Sequence, residues 1–132
     1  MDPKRTAVLI WGSLCAAVAA FFVVSLVVDL KPAPGLTQPM LAVAATLAAG
    51  CIAASRLLPP RIKPQAGATP EQAALSRHVV GCALCEGASL FAIVAFMLTR
   101  TPHAIAAIGF FALLTLYPSL ERWNRLVEPG GP

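Results

Sequence analysis

The chain has 132 residues, 58% of them hydrophobic and only 12% charged, with a formal net charge of +4. A soluble domain carries about 25% charged residues, so this composition cannot cover a water-facing surface and excludes a soluble globule. The length fits one domain, with lipid as the solvent for most of it.

The first predicted helix covers residues 6–29. Between positions 6 and 28 the sole ionisable side chain is Cys15. Spanning the hydrocarbon core takes roughly 20 apolar residues, range about 17–25. Lys4 and Arg5 resemble the basic start of a signal peptide, but the run is longer than the ~7–15 residue apolar core of one. The helix is therefore expected to be retained. Pro32, Pro34 and Gly35 then mark a short turn.

The second predicted helix, 38–58, is rich in small residues, including Ala44, Ala45, Ala48, Ala49, Gly50, Ala53 and Ala54. Small residues let helix backbones approach closely in lipid, which predicts a central position for this helix. Pro59 and Pro60 end it.

A polar loop follows, closed by Thr69-Pro70-Glu71-Gln72. A Thr with Gln three residues on is a capping box, and proline suits the first helical position. The third predicted helix runs from 70 to 99. At ~1.5 Å per residue it is about 45 Å long, so its first turns should stand out of the hydrocarbon.

The fourth predicted helix, 103–118, has no charge between 104 and 117 and ends at Tyr117-Pro118. Beyond it, Leu120, Trp123 and Leu126 alternate with Glu121, Arg122 and Arg125, the pattern of an interfacial helix over 119–127. The predicted fold is all-α: a polytopic membrane protein, a four-transmembrane-helix bundle in a single domain over 1–132.

Eight cations (Lys4, Arg5, Arg56, Arg61, Lys63, Arg77, Arg122 and Arg125) fall on one side of this topology, and Lys31 and Arg100 on the other. The positive-inside rule then places both termini in the cytoplasm of a bacterial inner membrane. It also accounts for the positive net charge without nucleic acid. A weak repeat relates Leu14-Cys15-Ala16 to Leu84-Cys85-Glu86, seventy residues on, as a parallel two-plus-two duplication would.

Glu86 is the main chemical candidate, the one acid inside the apolar part of a predicted span. A charged acid at that depth costs several kcal/mol unless paired, solvated or protonated. At helical spacing Cys82, Glu86, Ser89 and Ile93 share a face. Gly81, Cys85, Ala88, Ala92 and Ala95 form an adjacent small-residue face, and Val80, Leu84, Phe91, Val94 and Leu98 lie opposite. Glu86, Ser89 and Cys82 are thus the candidate ion-binding set, or Glu86 is a polar contact with a neighbouring helix. Cys82-x-x-Cys85 has thiol or metal spacing and makes a membrane thiol or metal protein the second alternative function, yet it stands inside a helix without a second pair. His78 and His103, near helix ends, read as interfacial. No phosphate loop, nucleophile–base pair or zinc signature occurs, so neither an enzyme nor a cofactor is expected. The expected partners are the bilayer and other membrane subunits, or further copies of the chain, through the small-residue faces of helices two and three.

The stretch 83–94, Ala-Leu-Cys-Glu-Gly-Ala-Ser-Leu-Phe-Ala-Ile-Val, resembles the carboxylate helix of rotary ATPase proteolipid (c) subunits. The hairpin of helix two, basic loop and helix three is similar as well. The resemblance implies that Glu86 binds a transported proton or ion. The chain differs from that family in having two further helices and no alternating glycine pattern in helix two. With Ala83-Leu84-Cys85-Glu86, Phe91 and Tyr117-Pro118, the C-terminal half also resembles small bacterial four-helix membrane proteins, which implies a fold and no activity.

Overall fold

The computed structural model describes residues 2–28, 30–31, 35–100 and Gly109. It is helical, with α1 at Pro3–Val27, α2 at Thr37–Leu57 and α3 at Pro70–Thr99, and a single 3-10 turn at Pro59–Arg61 between the last two. All three helices are long and apolar enough to cross a bilayer. The fourth span, 103–118, and the interfacial helix, 119–127, lie outside the described residues apart from Gly109.

Local chemistry sets the ends. Asp2 caps α1, its carboxylate accepting from the Lys4 amide at 3.0 Å, with Pro3 at the first helical position. A side-chain oxygen here satisfies one of the amides that a helix start leaves without a partner, so α1 begins three residues before its apolar run. The capping box of α3 forms as predicted. The Thr69 hydroxyl accepts from the Gln72 amide at 3.3 Å, and the Gln72 side chain accepts from the Thr69 amide at 3.0 Å.

Packing centres on α3. It lies against both α1 and α2, which barely touch each other among the described residues. The predicted central place of the second helix is therefore corrected: α3 holds it. Its small-residue face is the reason, since Cys85, Ala88, Ala92 and Ala95 are all buried. Gly81, also buried, faces α2 so closely that a Cβ there would meet the Ser55 carbonyl oxygen at 3.4 Å and the Pro59 ring at 3.5 Å.

Against α1 the contact is made by larger side chains. Val18, Cys82, Cys85 and Ile93 form a buried cluster, flanked by Trp11, Leu14, Phe21 and Phe22 of α1. Phe22 and Phe96 meet with ring centroids 6.2 Å apart. Ala7 packs near Ala74 at one end, and Arg100 reaches the last turn of α1 at the other, so α1 and α3 run parallel. Leu9, Val23, Val24 and Val27 of α1 and Val43 and Leu47 of α2 are exposed, as are Val80 and Val94 on the predicted outer face of α3.

Candidate functional site

The register of α3 turns Cys82, Cys85 and Ser89 into the protein and leaves Glu86 half-buried at the margin of the packed face. The Ser89 hydroxyl donates to the Cys85 carbonyl oxygen at 2.8 Å. A hydroxyl bonded one turn back along its own helix is satisfied locally, which offsets most of the cost of burying it. Ser89 is also where Gly109 comes in. That residue is helical and buried, and a Cβ added to it would lie 2.6 Å from the Ser89 Cα. A backbone-to-backbone approach of this kind needs glycine on one side.

Cys82 has a partner that the sequence reading overlooked. Its Sγ is 3.4 Å from His78 Nε2, and both residues are buried. His78, read from its place near a helix end as interfacial, has its ring against a thiol inside the protein. The signal was available, since positions four apart share a helix face. This contact is a pair, and among the described residues no three His, Cys, Asp or Glu side chains come together as metal ligands. No disulfide joins Cys15, Cys51, Cys82 and Cys85.

Glu86 stands differently. Among the described residues it has no hydrogen bond or ion pair. The set Glu86, Ser89 and Cys82 shares a helix face, but each of the last two is already engaged on α3. Of these three, Glu86 alone has no hydrogen-bond partner among the described residues.

Two arginines not singled out by the sequence hold the ends of α3. Arg77, though a cation, is 6% exposed, with Nε and Nη2 donating to the Ile62 carbonyl oxygen at 3.3 and 3.2 Å. Arg100 has a left-handed backbone, φ 52°. Its guanidinium donates to the carbonyl oxygens of Ser25 at 3.4 Å, Leu30 at 3.2 Å, and Val28. It also lies 5.9 Å from the Phe96 ring centroid, a cation–π distance. The last carbonyls of a helix lack intrahelical partners and carry negative partial charge, so a guanidinium at the end of α3 is a natural cap for the end of α1. Comparison with known protein families, with curated proteins and with solved structures returns no match for this chain.

Proposed function

We propose that this chain is an integral protein of a bacterial inner membrane, a four-helix bundle with both termini cytoplasmic. It acts by associating with other membrane helices, not by catalysis. The topology rests on the eight-to-two distribution of Lys and Arg. The membrane setting is supported by the exposed Val and Leu side chains around α1 and α2, which a bilayer would cover.

The observation that carries the associative role is Glu86, half-buried on the margin of α3 and without a partner among the described residues. In lipid such a group drives contact with a polar group on another helix, because hydrocarbon offers no alternative. The partner is a second copy or another membrane subunit. The same open carboxyl, with the proteolipid resemblance of 83–94, favours a second reading in which Glu86 carries a proton or ion.

Two substitutions separate these readings. Glu86→Leu removes the polar contact and should weaken association by about 0.5–2 kcal/mol, measured as loss of cross-linked oligomer in reconstituted vesicles. Glu86→Gln keeps a hydrogen-bonding side chain and should leave association nearly unchanged. Under the ion reading Gln abolishes activity in a protein that still folds, and wild-type Glu86 reacts with a hydrophobic carbodiimide. An association unaltered by Glu86→Leu would remove the associative reading.

A further inference from the structure

Residues 62–69, between the 3-10 turn and α3, fold back on the base of α3. Arg77 fixes the near end through its two bonds to the Ile62 carbonyl oxygen. The Ala68 amide donates to the Gln65 carbonyl oxygen at 3.0 Å, closing a turn in which Gly67 has φ +81°. That is a left-handed conformation that suits glycine. The capping box at Thr69 and Gln72 fixes the far end. The lobe so formed bounds an open surface cavity of about 500 Å³, whose polar walls include the exposed side chains Lys63, Gln65, Gln72 and Ser76. Small-molecule sites are of this size, about 300–1,000 Å³.

The lining has a definite chemistry. It includes one cation, Lys63, and no acidic side chain. The Gln72 side chain uses its oxygen in the capping box, which leaves the two N–H groups of its amide nitrogen as donors. The Ser76 hydrogen is given to the Gln72 carbonyl oxygen at 3.1 Å, so Lys63 and the two glutamine amides are the side-chain donors.

Location supplies the ligand. A helix of the length of α3 is about 45 Å long, against a hydrocarbon core of about 30 Å. Its apolar stretch, in which Glu86 is the one ionisable carboxyl, starts only after Arg77 and His78. If the chain is embedded as proposed above, on which this inference rests, the cavity lies at the depth of the headgroup phosphates. Arg56 and Arg61 on the same end add to a positive local potential.

We infer that this cavity binds a phosphate group, that of an anionic phospholipid headgroup, with Lys63 as its cation and the Gln65 and Gln72 amides as hydrogen-bond donors. The full chain in non-ionic detergent, mixed with equal amounts of phosphatidylglycerol and phosphatidylcholine, should retain the anionic lipid preferentially in native mass spectrometry. Removing one cation from such a site should cut that retention about fivefold. Lys63→Ala should therefore lose it, whereas Arg61→Ala, exposed and outside the lining, should keep it. A parallel calorimetric titration with inorganic phosphate identifies the source of the anion. Lys63-dependent phosphate binding without lipid preference would keep the phosphate site and assign it to a soluble anion. Equal losses in both variants would mean diffuse attraction, and that result, or a wild type showing neither lipid preference nor phosphate binding, would overturn the site. Neither result bears on Glu86, so failure here leaves the associative reading standing.

Discussion

Helices α1 and α3 run side by side in the same direction and are both strongly apolar, yet they have opposite surroundings. In α3, 50% of the most apolar window is buried, and in α1 11%, although α1 is the more hydropathic of the two. In lipid, apolarity does not sort helices into core and periphery, because the solvent is apolar too. What sorts them is shape. The inward face of α3 includes Gly81, Cys85, Ala88, Ala92 and Ala95, whereas α1 brings Val18, Leu14 and the Phe21–Phe22 pair to the cluster at Cys82, Cys85 and Ile93.

The sharpest test of that comparison places the same substitution on both helices. Ala92→Leu adds bulk at a position with 0% exposure and should destabilise by about 1–3 kcal/mol. Ala19→Leu, on the exposed side of α1, should stay within roughly 0.5 kcal/mol. Thermal unfolding in detergent, followed by helical circular dichroism, reads both. Comparable losses would mean that the outer side of α1 is packed and not lipid-facing.

A somewhat smaller effect is expected where the two helices are tied together at their ends. Arg100→Gln removes the guanidinium from the carbonyl oxygens of Ser25, Val28 and Leu30. Half-exposed charged hydrogen bonds of this kind should together contribute about 1–2 kcal/mol. Cysteines placed at the ends of α1 and α3 should then cross-link less efficiently, while those at the Ala7–Ala74 end should be unaffected. Smallest is Thr69→Ala, which removes one half of the capping box at the start of α3 and should cost about 1 kcal/mol. It should show as faster amide exchange confined to the first turn of α3.

Much of this was legible beforehand. The helices are signalled by uninterrupted apolar runs, and the start of α3 by a capping pattern that encodes its own geometry. The small-residue face of α3 was equally readable, because its members recur three and four positions apart. The centrality of α3 over α2 was not. In α2 small residues surround the helix, with Ala44 and Ala48 buried and Ala42, Ala45, Ala49 and Ala53 exposed, so their abundance says nothing about which face packs. At the candidate site, Glu86 was evident from its charge and the His78–Cys82 contact could have been found from its spacing. The reach of Arg100 to α1 joins residues about seventy positions apart, and the approach of Gly109 to Ser89 joins residues twenty positions apart. No local pattern encodes either.

Because α1 and α2 barely meet among the described residues, the N-terminal hairpin has little internal cohesion of its own. During synthesis at about 5–20 residues per second, the first two helices wait several seconds as neighbours without a shared interface, until α3 emerges to lie against both. Assembly is therefore governed from the C-terminal half. A chain halted within the 62–69 loop has made α1 and α2 but not the helix against which both pack.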